Sequence, residues 1–423
     1  MKRIVLFTWL TPTIDNICGP SALAYHTLKN RPDYYELFIY TTNYNNISDD
    51  KIISIGYELK AQIIIVRDSI YNYFHKRFTL AELRLKLGLD RSYGLSNYKL
   101  PHKFISQIKQ LSPDVVIIFD ESFVGVAQQL SNFNLIIWGY DCFPLRYHRL
   151  LEDRYCYSEK NLYKQVLHDY KVAIYRELQY ENIPCRIVDV GIADVKYYKL
   201  ITNHDNVGFY PHPHYRVIEK KISFNKQKLS ILISGKFDVY TYSDMKKLVN
   251  VLKINCSALK NKYKFTFLGK TWSRIVSELR LCGFDVNNID WVDEYAAELV
   301  RHDIQICPIS VGTGTKGKVL DALSMGLLCI GSSIAMENIY VSHGHSCFQY
   351  ADVDEIPLFL SYIYDNKSKA EIIAENGRKQ VLKWHNPKRV SKLFLEDIDE
   401  STGLKYNGIE EFYEVVSTLK SIL

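Results

Sequence analysis

The sequence lacks any apolar stretch of the roughly 18 to 20 residues needed to cross a bilayer, so a membrane-spanning helix is not expected. The N-terminus carries the charge of a secretion signal in Met1-Lys2-Arg3. Its apolar run, Ile4-Val5-Leu6-Phe7, is soon broken by Thr11-Pro12-Thr13 and Asp15, and reads instead as a first buried strand. The nine cysteines contain no Cys-x-x-Cys pair, and Cys307 and Cys329 sit in apolar runs where a thiol packs as a small hydrophobe; reduced thiols in a cytoplasmic setting are expected. Low-complexity tracts and repeats of roughly 20 to 50 residues are also missing. With 47% hydrophobic and 24% charged residues, disordered, collagen-like and coiled-coil classes drop out. The formal charge of +6 is small for 423 residues; it bears on solubility and encounter and does not imply a nucleic-acid partner. Neither GxxxxGK[ST] nor an N-terminal GxGxxG is present, which disfavours a P-loop enzyme and a dehydrogenase.

What the chain does have is a rhythm of short apolar runs separated by longer amphipathic stretches, the pattern of parallel strands joined by crossover helices. In the first half the expected strands are Ile4–Phe7, Glu36–Tyr40, Ile63–Val66, Val115–Phe119, Leu135–Trp138 and Arg186–Val188. In the second they are Leu229–Ile233, Tyr263–Leu268, Ile289–Val292, Ile304–Ile306, Leu328–Ile330 and Cys347–Tyr350. At roughly 150 residues per domain the length calls for two or three domains. The expected division is an N-terminal Rossmann-like domain over 1–200, a linker over 201–227, a C-terminal domain over 228–400 and a closing helical region over 401–423. His212-Pro213-His214, the nearest approach to metal-ligand spacing, falls in the linker and is read as solvated.

The densest chemical signal runs from Pro308 to Gly326, where a strand ends, a glycine loop turns and a helix begins. Gly312, Gly314 and Gly317 permit close backbone approach, and the first N–H groups of the new helix lack intrahelical acceptors. That end favours an anion, and Lys316 and Lys318 would add charge-assisted contacts to a diphosphate. Asp321, one turn further on, can accept two hydrogen bonds from a vicinal diol such as a ribose offers. The bland alternative is a tight strand-to-helix connection with solvated lysines and a surface acid.

This segment resembles the C-terminal signature of the retaining GT-B glycosyltransferases of family 4. The likeness continues through Ile233-Ser234-Gly235-Lys236, Phe267-Leu268-Gly269, Trp291-Val292-Asp293, His302-Asp303 to Pro308, and Glu337-Asn338. It implies an α/β protein of GT-B type, two doubly wound Rossmann-like domains facing across a cleft, with the nucleotide-sugar donor in the C-terminal one. By the same resemblance Gly235, Gly312, Gly314 and Thr315 face the donor, Lys236 with Lys316 or Lys318 meets the diphosphate, Trp291 and Val292 cradle the base, and Asp321 takes the ribose. The family places a sugar-binding glutamate eight residues before the ribose acid; here that position is Thr313, which leaves the choice of sugar open.

The first half resembles the family more loosely, through Lys2–Phe7, Pro113–Asp120 and the turn Cys18-Gly19-Pro20, where Gly19 would let the diphosphate approach or Pro20 merely start a helix. Where the family often has His-Asp beyond the strand Leu135–Trp138, this chain has Tyr140-Asp141, and Asp141 is the candidate catalytic or sugar-contacting carboxylate, a helix-capping Asp being the other reading. Asp120-Glu121 is a second candidate at a neighbouring strand end. No Asp-x-Asp motif lies in a loop suited to a metal, so no metal or cofactor is expected, the nucleotide-sugar being a substrate. The stretch 75–103, with Lys76, Arg77, Arg84, Lys86, Arg91, Lys99 and Lys103 among aromatic residues, is either a solvated face or a contact with an anionic membrane or lipid carrier.

The resulting expectation is a cytoplasmic hexosyltransferase, peripheral at the inner membrane face if that contact exists, acting on a glycan or lipid-linked acceptor. Bacterial surface-polysaccharide assembly is one setting for it. The alternatives are a nucleotide-sugar-binding protein that has lost catalysis, favoured by Thr313 and Tyr140, and a sugar-nucleotide epimerase of similar fold.

Overall fold

The computed structural model describes residues 1–14, 20–67, 94–398 and 404–421. Its strands form two wholly parallel sheets, as the continuous apolar runs require: a strand covered by helices on both faces buries every side chain. In the first sheet Lys2–Thr8 (β1), Tyr35–Thr41 (β2), Ala61–Ile65 (β3), Val115–Phe119 (β4), Leu135–Trp138 (β5), Arg186–Asp189 (β6) and Val207–Phe209 (β7) lie in the order β3-β2-β1-β4-β5-β6-β7. The second sheet comprises Leu229–Ser234 (β8), Tyr263–Leu268 (β9), Asp285–Ile289 (β10), Ile304–Cys307 (β11), Leu328–Ser332 (β12) and Phe348–Tyr350 (β13), in the order β10-β9-β8-β11-β12-β13. In each, the order reverses between the first strand and the strand beside it, and ligands of such folds lie beyond the carboxyl ends of strands at that switch point. For the second sheet the switch falls between β8 and β11.

Each sheet has its own core. Ile4, Leu6, Ile39, Val115, Ile117 and Ile136 build that of the first; Leu229, Ile231, Phe265, Phe267, Ile304 and Ile330 build one face of the second, and Leu232, Val319, Leu320, Leu323 and Cys329 the other. Full burial of one such aliphatic or aromatic side chain contributes roughly 1.5–3 kcal/mol, so strands of only four or five residues suffice.

The chain divides into two compact units, Met1–Tyr147 with Gln165–Tyr215 and Pro387–Ile409, and His148–Lys164 with Arg216–Asn386 and Glu410–Leu423. Boundaries drawn from sequence at 200, 228 and 400 therefore depart from the packing in three places. The stretch 201–227 is not a plain linker, because Val207–Phe209 adds a seventh strand beside β6. The helix Pro387–Ile398 belongs with the first unit, where Phe394 and Leu395 enter its core and the Arg186 guanidinium donates to the Asp397 carbonyl. Residues 148–164 belong with the second, where Tyr155 stacks on Tyr242 at 3.8 Å between ring centroids and Asp153 accepts from the Ser243 hydroxyl at 3.0 Å. The closing helix is Gly408–Lys420, whose Phe412 packs on Tyr340. His212 and His214 are buried, not solvated: each ring is hydrogen-bonded to the following carbonyl, and burial lowers both pKa values, that of His212 to about 4. No helix among the described residues is long and apolar enough to cross a membrane.

Candidate functional site

The carboxyl end of β8 runs into Gly235, whose φ of +111° lies in a region that side chains rarely adopt. A Cβ there would stand 2.8 Å from the Lys318 Nζ, so the glycine is what allows this ammonium to lie across the strand end. Lys318 Nζ donates to the Ser234 carbonyl at 3.2 Å. The turn is locked by groups that motif reading alone did not mark: the Trp272 indole N–H donates to the Gly235 carbonyl at 2.7 Å, and Gly235 N–H to that of Leu268 at 2.8 Å. Trp272 is fully buried and packs on Phe267, so it is a structural pin for the loop rather than a ligand contact. Gly269, at φ +130°, lies so close beneath that a Cβ would meet the Gly235 carbonyl oxygen at 2.2 Å.

Across the switch point, β11 leads into Pro308–Gly317 and the helix Gly317–Ser324. The two loops are stitched together by Ser310 and Val311, whose N–H groups both donate to the Tyr240 carbonyl, at 3.0 and 3.2 Å. Among the described residues no side chain caps the helix start, and beyond its chain neighbours and its own helix backbone no atom lies within 4 Å of where a Cβ on Gly317 would be. The Val319 and Leu320 N–H groups already reach the Lys316 carbonyl, at 2.9 and 3.2 Å. That leaves the Gly317 and Lys318 N–H groups without an intrahelical acceptor at the helix start, beside the Lys318 ammonium, an arrangement that can bind an anion. Gly326, at φ +77°, ends the helix, its N–H reaching the Leu323 carbonyl at 2.9 Å and that of Leu327 reaching Ala322 at 3.0 Å.

The two lysines of the loop differ in use. Lys316 turns back on its own loop, donating to the Thr313 and Gly314 carbonyls at 3.0 and 2.9 Å, whereas Lys318 crosses to the other loop. Lys236 is exposed and its ammonium carries no contact among the described residues. Asp321 is half-buried, its carboxylate makes no hydrogen bond among the described residues, and desolvation pushes its pKa up to about 7. Its charge is felt by Tyr295, whose phenol is pushed up first by burial and then by Asp321, and whose hydroxyl meets the Ser234 hydroxyl at 2.9 Å. Strand β10 lies earlier than expected, over Asp285–Ile289, so Trp291 and Val292 form the loop beyond it. Val292 is half-buried against the core, and Trp291 is 73% exposed at the carboxyl end of the sheet. Thr313 is buried and its hydroxyl has no partner among the described residues, Gly314 is at φ +61°, and Thr315 is half-buried on the same loop. His302 and Asp303 lie at the opposite end of β11, bonded to the Ser230 hydroxyl and amide, and serve the fold.

Gly19 lies outside the described residues, as does most of the basic stretch 75–103. Of its described part, Tyr98 is buried against Phe7 and Phe123, and Phe104 just beyond it is buried too, so these two aromatics belong to the core and offer nothing to a membrane.

In the first unit Asp141 follows β5 and pairs with Arg146, one helical turn on; its second oxygen, Oδ1, is buried without a partner among the described residues. Asp120 and Glu121, the second candidate, are sealed inside. Asp120 accepts from the Tyr140 hydroxyl at 2.9 Å and the Ser122 N–H at 2.8 Å, while both Glu121 oxygens are buried and have no partner among the described residues. Burial, then the neighbouring Asp120 and Glu177 charges, raises the Glu121 pKa well above the usual carboxylate range. Neither can touch a substrate.

No family model matches the chain, and no curated relative matches its sequence. Solved structures do. HepE of Anabaena in complex with UDP-glucose superposes with a TM-score of 0.62 at 11% identity, over 94% of this chain and 99% of that one. Sucrose-phosphate synthase of Thermosynechococcus elongatus gives 0.64 at 12% identity, over 94% and 98%. The lipopolysaccharide outer core galactosyltransferase WaaB, in its apo form, gives 0.57 at 13%, over 94% and 100%. These neighbours are GT-B glycosyltransferases, and with two parallel sheets of 7 and 6 strands the chain has the two-domain α/β GT-B fold.

Proposed function

We propose that this protein transfers a sugar from a nucleotide-sugar donor to a hydroxyl acceptor, with the donor held by the second unit. The observation that carries this reading is the convergence, at the switch point of the second sheet, of the Gly235 turn, the Lys318 ammonium, an uncapped helix start at Gly317 and the unpartnered carboxylate of Asp321. Lys318 and the helix end would hold the diphosphate, Asp321 the ribose diol, and Trp291 offers an exposed ring on which a base can stack. In the transfer the bond from the anomeric carbon to the β-phosphate oxygen breaks, its electron pair leaves with the nucleoside diphosphate, and the acceptor oxygen bonds to the anomeric carbon as its proton passes to a base. The cations and helix end lower the barrier by stabilising the charge that grows on the leaving group. Asp141 is our candidate for the carboxylate that contacts the acceptor or the sugar.

Membership of family 4, retention of configuration, a hexosyl donor, a glycan or lipid-linked acceptor, metal-independent action and a cytoplasmic role in surface-polysaccharide assembly rest on the sequence resemblance and belong to the same proposal. UDP-sugars are the first donors to try, since HepE was solved with UDP-glucose. The test is a panel of UDP-, GDP- and dTDP-sugars followed by thermal shift and slow hydrolysis, with and without chelator. Stabilisation and hydrolysis by one nucleotide series, unaffected by chelator, is expected. Absence of any shift overturns the donor site, and a shift with neither hydrolysis nor transfer in the presence of an acceptor extract overturns the catalytic reading.

A further inference from the structure

The turn Glu337-Asn338, beyond the short helix Ser333–Met336, grips the donor loop on both sides of Thr313. Arg149 donates to the two Glu337 carboxylate oxygens at 2.9 and 2.8 Å and also to the Gly312 carbonyl; Asn338 Nδ2 donates to the Gly314 carbonyl at 3.0 Å. The Thr313 carbonyl is taken by Lys316, and the buried Thr313 hydroxyl, between two clamped glycines, has no partner among the described residues. All of these residues lie in the second unit.

A nucleotide-sugar is a linear ligand: base, ribose, diphosphate, sugar. With the ribose at Asp321 and the diphosphate at Gly317 and Lys318, the sugar extends toward the earlier part of the loop, Gly312 to Gly314. There it meets the Arg149–Glu337 pair, whose side chains are 18% and 21% exposed. A carboxylate held by two hydrogen bonds keeps acceptor lone pairs for sugar hydroxyls. The guanidinium, committed to Glu337 and the Gly312 carbonyl, has no fork to offer a second carboxylate.

Resting on the donor reading above, we propose that Glu337, held in place by Arg149, reads the hydroxyls of the transferred sugar and restricts the donor to neutral sugars, rejecting hexuronates. Like-charge repulsion between Glu337 and a sugar carboxylate supplies the rejection, and the unpartnered Thr313 hydroxyl supplies a further hydrogen bond to a neutral sugar.

Calorimetric titration of the full chain with UDP, UDP-glucose and UDP-glucuronate, and in parallel with GDP, GDP-mannose and GDP-mannuronate, tests this. The neutral-sugar form should bind about tenfold or more tighter than the uronate of the same base, a difference of about 1.4 kcal/mol. In Glu337→Gln, which keeps the shape and removes the charge, that gap should close to about twofold, a loss of discrimination expected when the repulsive element is removed. Titration of the variant with the nucleoside diphosphate alone reports whether the loop still folds. If it does not, the wild-type comparison decides: equal or tighter binding of the uronate overturns the inference. Failure of UDP and GDP to bind the wild type overturns the donor reading itself, whereas diphosphate binding without the neutral preference overturns this inference alone.

Discussion

The two sheets end in opposite electrostatics. Beyond β4, β5 and β6 of the first, Asp120, Glu121, Glu177, Asp189 and Asp194 are all essentially inaccessible. Beyond β8 and β11 of the second stand glycines, lysines and an uncapped helix. Both regions occupy the place where this fold puts its ligands, yet the first has been filled. Arg176 takes Glu177 through two donors, Tyr198 takes its other oxygen, and Tyr140 takes Asp120. Gly139 stands where a Cβ would meet Asp189 Oδ2 at 2.8 Å and Glu121 Oε2 at 3.2 Å, so even a methyl group has no room. A filled acidic cluster repels a diphosphate; an open cationic turn attracts one. Position in the fold thus says where to look, and the side chains decide which of two equivalent places could receive an anion.

The contrast breaks first at Lys318. Lys318→Ala should weaken nucleoside diphosphate binding by roughly 10- to 100-fold, the worth of a charge-assisted hydrogen bond of about 1.5–3 kcal/mol. Lys316→Ala should cost less affinity and more stability, because its ammonium is spent on its own loop. Titration calorimetry beside thermal unfolding separates the two, and equal affinity losses would contradict the division of labour.

Next in size is Asp321, whose carboxylate has its pKa raised to about 7 by burial. Only the ionised form accepts two hydrogen bonds from the ribose, so nucleotide affinity should rise about tenfold from pH 6 to 8, on the order of one proton released per ligand bound. Asp321→Asn should flatten that dependence. In the free protein the sign is opposite: the raised pKa means stability is greatest below the unfolded value near 3.8 and declines as pH climbs toward 7. A pH-independent affinity in the parent chain would remove Asp321 from the ribose.

The smallest effect is expected in the acidic cluster. Glu121 has its folded pKa raised well above 4.5, so the native state keeps a proton that the unfolded chain releases, and stability falls as pH rises above about 4.5. Glu121→Gln removes that proton's share, at most about 1.4 kcal/mol per pH unit, and the melting temperature should fall less steeply between pH 5 and 8. Nucleotide binding should not change. An unchanged slope would mean that Glu121 is already ionised in the folded protein.

Much of this was legible in the residues. Eleven of the expected strands coincide with observed ones to within two residues at either end, because a buried parallel strand is written as a short apolar run bounded by polar residues. Two departures have physical causes. Asp285–Ile289 contains Asp285, Asn287 and Asn288 and is an edge strand, so its outer face carries no apolar signal. Val207–Phe209 has three residues, too few for any periodicity to appear, and forms because β6 offers it an edge. In the site, the glycines, Lys316, Lys318 and Asp321 announced themselves by spacing. Trp272 and Tyr295 did not, since an indole N–H on a carbonyl and a phenol on a serine are partnerships between residues distant in sequence.

By itself, then, the sequence determined the two parallel sheets, the strand-loop-helix that can hold an anion, and the acid one turn beyond it, all of which depend on the order of neighbouring residues. The tertiary structure decided the rest: which lysine reaches across to Ser234, that Asp120 and Glu121 are sealed away, that Pro387–Ile398 returns to the first unit, and that Arg149 and Glu337 stand together beside Gly312. Those outcomes depend on contacts between residues tens to hundreds of positions apart, which only the packed chain brings within hydrogen-bonding distance.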